Sequence, residues 1–363
     1  MNMTLTDEKL KALPVEEVVE EAGVTAATRV KRPAALLFTY RCSISCAHCL
    51  FGCGTRTPSG VMSVDDALEY LRQIHQLDRA VHIAGGEPFL FWSVLAEVCE
   101  KAGTLGIAPH FVESNCFWAV NDSIVRDRLT KLRDWGVRGM YFSADPYHMA
   151  HVSPENVIRA RAIAWELFGK ENVMCRDVPE EKIREFADIG KDETRLAEWV
   201  RSSVPRIVGN AAFRLAPFLP DLPLDRLPMH CGWGPNVDDG PGCSAAFDPE
   251  LMSEVHIDLY GNIQTNCGVI IGNAKKTSVP NLFARGIKDA NPIVEILAGD
   301  GPFGLLEHAR EKGCPPITHA VQKCHLCFLV RSFLRAYYPD ILGPEEVYYA
   351  APAAMLAYCS GVK

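Results

Sequence analysis

Apolar and polar positions along the chain change period at regular intervals. The run Ala34-Ala35-Leu36-Leu37-Phe38-Thr39-Tyr40 is short, apolar and β-prone, as a buried strand would be. After a cysteine-rich loop, Ser63 followed by Val64-Asp65-Asp66 supplies an N-cap and an acidic first turn, predicting a helix to about Gln76. Strand patterns then recur at 80–84, 110–112, 139–143 and 172–175, and helical patterns at 92–102, 122–135 and 153–168. Five β-α repeats at this spacing predict an α/β fold with a mainly parallel sheet. Right-handed crossovers curl such a sheet into a full or partial barrel. Reactive groups in that class collect on the loops at the carboxyl ends of the strands.

The ends of the chain read differently. Residues 1–30 predict one or two short polar helices. Beyond 180 a charged helical stretch reaches about Trp199, and a proline-rich segment follows at 215–228. From Glu254, Val255-His256-Ile257-Asp258-Leu259 alternates, Gly261-Asn262 makes a hairpin-type turn, and Ile263-Gln264-Thr265 returns, which predicts a two-stranded ribbon. These changes divide the chain into an N-terminal helical segment (1–30), a core (31–230) and a C-terminal extension (231–363).

Composition narrows the class. The chain has 363 residues, 48% hydrophobic and 23% charged, with a formal net charge of −8. That is a globular protein with a large core, and an acidic one speaks against a nucleic-acid or membrane-surface binder. No secretory or transit pattern opens the sequence and no membrane-length apolar stretch occurs, so a reducing cytoplasm is expected. Fourteen cysteines there point to metal or redox chemistry more than to disulfides.

The loop after the first strand reads Tyr40-Arg41-Cys42-Ser43-Ile44-Ser45-Cys46-Ala47-His48-Cys49. Three closely spaced thiols can wrap one corner of a [4Fe–4S] cluster and leave one iron without a protein ligand. Alternatively, Cys42, Cys46, His48, Cys49 and Cys53 could supply a tetrahedral zinc site. The CxxxCxxC motif after the first strand of a β/α sheet resembles the radical S-adenosylmethionine enzymes. The resemblance implies that Cys42, Cys46 and Cys49 hold a catalytic cluster and that S-adenosylmethionine binds the open iron. One electron would then cleave it to a 5′-deoxyadenosyl radical. His48 would pack against the adenine, and Cys53 would be a spare thiol near the cluster.

The following strand ends carry the same resemblance. The second ends in Gly85-Gly86-Glu87-Pro88, matching the family's GGEP segment. Its glycines would let backbone approach the ligand, and Glu87 would accept from the ligand ammonium group. At the third strand end, Ser114 and Asn115 are candidates for the ribose hydroxyls, with Cys116 where the family usually has glycine. Ser143 and Asp145 at the fourth would face cofactor or substrate, and Arg176 at the fifth would meet the cofactor carboxylate. The likeness spans about residues 34–180 and implies a partial (β/α)6 TIM-like barrel. Tyr147, His148, Arg214 and Asp258 are further candidates for a substrate cavity.

The extension holds Cys231, Cys243, Cys267, Cys314, Cys324, Cys327 and Cys359. A cysteine, a glycine-bearing hairpin with a second cysteine, and then Cys324-His325-Leu326-Cys327 resemble the auxiliary-cluster extensions called SPASM and twitch. By that resemblance Cys243, Cys267, Cys324 and Cys327 hold a second [4Fe–4S] cluster, with Cys231, Cys314 or Cys359 able to substitute. Zinc on the same four thiols is the plainer alternative. The expected function is therefore reductive cleavage of S-adenosylmethionine and hydrogen-atom abstraction from a substrate. A peptide or protein substrate is favoured and a small molecule in cofactor or natural-product biosynthesis is the alternative. The expected partners are a flavodoxin- or ferredoxin-type reductant and a separate leader-peptide-binding protein. A non-catalytic iron–sulfur scaffold or electron carrier is the reading from another class.

Overall fold

The computed structural model describes residues 32–77, 79–175, 177–227 and 243–348. The helical expectation for 1–30, together with Arg176, Cys231 and Cys359, lies outside the described residues. The first half alternates as the periodicity predicts: β1 (Pro33–Leu37), α1 (Val64–His75), β2 (Ala80–Ala84), α2 (Trp92–Thr104), β3 (Phe111–Ser114), α3 (Asp122–Asp134), β4 (Gly139–Phe142), α4 (Pro146–Met149), α5 (Pro154–Phe168) and β5 (Val173–Met174). Then follow α6 (Glu180–Lys191), α7 (Glu193–Ser203), α8 (Ala211–Arg214), β6 (Leu222–Pro223), β7 (Val255–Asp258), β8 (Asn262–Thr265) and β9 (Ile270–Asn273). The chain continues through α9 (Val279–Arg285), α10 (Pro292–Gly299), α11 (Gly301–Glu311), β10 (His319–Ala320) and α12 (Lys323–Leu334). Helix α1 starts where its sequence says it should, because the Ser63 side chain accepts from the Asp66 amide.

One sheet organises the molecule, in the order β5-β4-β3-β2-β1-β7-β8-β9. Strands β1 to β5 are parallel neighbours, and β7 also pairs parallel with β1, with Leu36 opposite Ile257. The hairpin expected in a separate extension is present as β7–β8, with Ile257 opposite Ile263, but it continues the main sheet. Residues from both halves share one hydrophobic core. The fold is thus mixed α/β with a parallel sheet, and none of its described helices is long and apolar enough to cross a membrane.

The two faces of the sheet differ in chemistry. Ile263, Ile257, Leu36, Ile83, Val112, Met140 and Val173 stand in register across seven strands, all buried. This apolar row joins the buried stripes of α1, α2, α3 and α5 in the core. The neighbouring register row, on the opposite face, runs Gln264, His256, Ala35, His82 and Phe111, with Glu113 and Tyr141 paired one pleat further along. A parallel sheet covered on both faces is normally apolar throughout, so polar residues at alternate positions mark a face put to another use.

Candidate active site

The loops that follow β1, β2, β3 and β4 meet at one end of the sheet. The cysteine loop leaves β1 and returns to it, with the Met62 amide donating to Phe38 O at 2.8 Å and the Cys42 amide to Gly54 O at 3.1 Å. Its outer side is held by the turn before α8. The Asn210 amide donates to Cys49 O at 2.9 Å and its side chain to Cys46 O at 3.1 Å, while Arg214 donates to Ser45 O at 2.8 Å. Arg214, a substrate candidate in the sequence, is therefore a clamp on the cysteine loop. A cleft lined by Ser45, Cys53, Arg56, Thr57, Arg214 and Glu346 opens on this side.

The glycines of the Gly85-Gly86-Glu87-Pro88 segment bring backbone against backbone. A Cβ on Gly86 would lie 2.0 Å from Arg41 O, and one on Gly85 2.6 Å from Thr39 O. Their absence lets the Gly86 amide donate to Thr39 O at 2.6 Å and the Glu87 amide to Arg41 O at 3.0 Å. Glu87 is fully buried and ties β2 to β3: it accepts from the Phe89 amide at 3.1 Å, Ser114 Oγ at 3.0 Å and the Asn115 amide at 2.8 Å. Burial pushes its carboxyl up to about 7 against the pull of these bonds. Carboxylates offer about four acceptor positions, so little capacity remains for an outside ammonium group. Pro88 opens the 3-10 turn Pro88–Phe91 that Glu87 caps.

Ser114 and Asn115 are engaged in the same way. The Ser114 hydroxyl donates to Glu87 and accepts from the Cys116 amide and Trp118 Nε1, so it has no bond to spare for a ribose. Asn115 reaches into the cluster loop, donating to Ser43 Oγ at 3.0 Å and toward Cys42 Sγ at 3.5 Å. Cys116 has φ 65°, the left-handed region that favours glycine. The Ser143 amide donates to Ser114 O at 3.1 Å, joining the third strand end to the fourth.

Asp145 caps α4, accepting from the Tyr147 and His148 amides at 2.8 and 3.0 Å and meeting His148 Nδ1 at 2.6 Å. Against the cost of burial, His148 and His48 hold the Asp145 carboxyl below the usual carboxylate range. The carboxylate of Asp145 and the thiol of Cys46 raise His148 well above its ordinary value, again against burial. Burial pushes His48 down to about 4. His48 stacks on Tyr147 at 4.5 Å and meets His148 edge-on at 5.0 Å, so one of its faces is already covered by protein. Among the described residues, Cys46, His48 and His148 are the one group of three metal-type donors within 4.8 Å of one another. Cys49 and Cys53 share a thiol hydrogen bond that draws Cys49 down to about 7. Cys53 is thus a neighbour of the third thiol of the motif.

Sequence reasoning missed the polar face of the sheet. His82 Nε2 lies 3.2 Å from both Glu113 and Glu254, and His256 Nε2 lies 3.2 Å from the other oxygen of Glu254. Both imidazoles are buried, whereas Glu113 keeps a third of its side-chain surface and Tyr141 is exposed. Phe51 of the cluster loop packs edge-on against His256 at 5.1 Å, so this face and the cysteine loop are contiguous. A histidine in the middle of the apolar run at 80–84 was the available signal. Asp258, the remaining substrate candidate, is instead an internal brace, bonded to Tyr40 Oη, Gln264 and Asn262 and wholly buried.

In the second half, burial pushes the Cys327 thiol up to about 11, with Cys267 and Cys324 adding to the rise, and the three thiols surround the buried Arg331. The Thr265 hydroxyl meets Cys267 Sγ at 2.9 Å. Cys243 opens the 3-10 turn Cys243–Phe247, which packs against α10.

Comparison with known proteins bears on the first half. A search of curated proteins finds no match. Among solved structures, the chain is similar to one titled "Crystal structure of BtrN in complex with AdoMet and 2-DOIA", at 14% identity and a TM-score of 0.41, covering 79% of this chain and 94% of that one. Residues 36–160, which hold the cysteine loop, Gly85-Gly86-Glu87-Pro88 and the Asp145 turn, match the family model of the Radical SAM superfamily. The chain therefore contains a Radical SAM superfamily domain.

Proposed function

We propose that the protein is a radical S-adenosylmethionine enzyme whose substrate is a small hydrophilic molecule held over the polar face of the sheet. The domain implies a [4Fe–4S] cluster and S-adenosylmethionine. When bound, these supply a 5′-deoxyadenosyl radical able to abstract a substrate hydrogen atom. The donor chemistry fits. Cys42, Cys46 and Cys49 lie on one loop pinned at both ends, thiolates are the usual cluster ligands, and Cys53 lies beside Cys49. Asn115 donates toward the Cys42 sulfur, and His148 faces Cys46. Hydrogen bonds and cations at such sulfurs raise a cluster's potential.

The observation that carries the substrate reading is the chain Glu113–His82–Glu254–His256, which continues from the cluster loop with its acidic end open. Hydroxyl and ammonium groups find acceptors there, whereas an extended peptide needs an edge or groove for its backbone. Peptide modification remains the second reading. A cytoplasmic setting and a flavodoxin- or ferredoxin-type reductant complete the proposal. The test is anaerobic reconstitution and reduction, followed by assay of 5′-deoxyadenosine. Formation that depends on Cys42, Cys46 and Cys49 is expected, and no cleavage by a reduced, intact cluster would sink the reading. Glu113→Gln should then leave unproductive cleavage in place while lowering coupled substrate turnover at least tenfold. Turnover of a precursor peptide at the wild-type rate by that variant would favour the peptide reading.

We further propose that Cys267, Cys324 and Cys327, with Cys243 as the fourth ligand expected from the sequence, hold an auxiliary cluster. Iron and acid-labile sulfide per chain should fall in Cys324→Ala/Cys327→Ala while the first cluster persists. Zinc in place of iron at this site would replace the proposal with a structural metal.

A further inference from the structure

Arg331 sits on α12 four residues after Cys327 and seven after Cys324, so the three share one face of the helix. Its side chain is almost wholly enclosed, with 1% of its surface accessible. A guanidinium cannot shed its proton at ordinary pH, and enclosing its charge without a counter-charge carries a large desolvation cost. Among the described residues no carboxylate forms an ion pair with it, and none is among the groups that act on it most strongly. Its Nη1 donates to Cys267 O at 2.8 Å, its Nε has no acceptor, and it lies 5.5 Å over the Phe328 ring. The ionisable groups around it are the thiols of Cys267, Cys324 and Cys327 and the phenol of Tyr348. Tyr348 stacks on Phe328 at 5.4 Å, and its buried hydroxyl has no partner. Arg206, anchored to Asn266 O at 3.1 Å, adds a second guanidinium that acts on Cys327.

Neutral thiols do not offset the buried Arg331 guanidinium. A [4Fe–4S] cluster on three thiolates does, because the oxidised unit carries a net charge of about −1 and reduction takes it to about −2. We infer that Arg331 is the buried counter-charge of an anionic cluster held by Cys267, Cys324 and Cys327, a positioning residue that stabilises the reduced form and raises the cluster's midpoint potential. This rests on the auxiliary-cluster reading above and adds to it what sets the potential. Charge, burial and hydrogen bonds to sulfur are the levers by which a protein tunes such a centre.

The test uses the full chain, reconstituted anaerobically, with iron and sulfide counted and both clusters titrated by EPR against potential. The auxiliary signal is the one absent from Cys324→Ala/Cys327→Ala, and the first cluster's signal is the one that S-adenosylmethionine perturbs. In Arg331→Met the auxiliary midpoint should move to more negative potential while the first cluster's stays put. Arg331→Lys, which keeps the charge, should remain closer to wild type. An unmoved auxiliary midpoint in Arg331→Met at full iron content overturns the inference and leaves the auxiliary cluster standing. If Arg331→Met loses the cluster, retention of iron by Arg331→Lys supports the role of charge, and loss from both variants overturns it. Identical iron content and signals in wild type and Cys324→Ala/Cys327→Ala would instead remove the auxiliary cluster itself.

Discussion

At the scale of single residues, the cysteine motif could be read from the sequence because its chemistry is local: three thiols within eight residues need no knowledge of the rest of the chain. Glu87 and Ser114 could not be read in the same way. Each looks like a free ligand-binding group until the ends of β2 and β3 are seen to lie side by side, whereupon they satisfy each other. The missing side chains of Gly85 and Gly86 admit the backbone of Thr39 and Arg41. This gives a sharp expectation. Gly86→Ala places a Cβ on the Arg41 carbonyl, and overpacking against backbone costs about 3 kcal/mol or more. Urea unfolding should show that loss, together with reduced iron loading at the neighbouring loop. A variant with native stability and full iron content would contradict it.

Elements were legible where pattern and period are local. Parallel strands read as apolar runs, Ser63 marks a helix start by its side chain, and the hairpin at Gly261-Asn262 follows from its turn residues. The one-turn α4 was invisible because four residues leave no periodicity, although Asp145 followed by Pro146 is a sound helix-start signal. Equally hidden was the pairing of His82 on β2 with Glu254 just before β7, since no rule of spacing connects elements so far apart. That network carries its own pH dependence. Burial alone would raise Glu254, but His256, His82 and Arg79 together hold its carboxyl down to about 2. The unfolded value is about 4.3, so the folded state binds fewer protons between the two. The stabilisation is complete above pH 4.3, on the order of 3 kcal/mol, and is lost as pH falls toward 2. Denaturation of wild type and Glu254→Gln should therefore show a stability gap at pH 6 that narrows by pH 3. A gap independent of pH would refute the coupling.

At the scale of the whole molecule, the order β2-β1-β7 makes the strand that leads into the cysteine loop an interior strand whose second neighbour comes from the other half of the chain. The division expected near residue 230 thus separates segments that share a sheet and a core. A fragment ending at 230 would leave one edge of β1 unpaired and the row Leu36, Ile83, Val112 without its continuation at Ile257. We expect that fragment to lack native near-ultraviolet circular dichroism and to aggregate, since exposed apolar strand edges recruit one another. The full chain should unfold with its two halves in a single transition. A soluble, cooperatively folded 1–230 fragment would show that the halves are independent.

The same arrangement has a consequence in time. Tyr40 and its partner Asp258 are 218 residues apart. During synthesis at about 5–20 residues per second, the strand that leads into the cysteine loop waits on the order of 10–40 s for the partner that completes it. Until then the three thiols sit on a loop whose floor is half built. Metal delivered to the nascent chain before then would meet a mobile, oxygen-accessible motif, so a cluster on this loop would assemble best once the strand carrying Asp258 has been made.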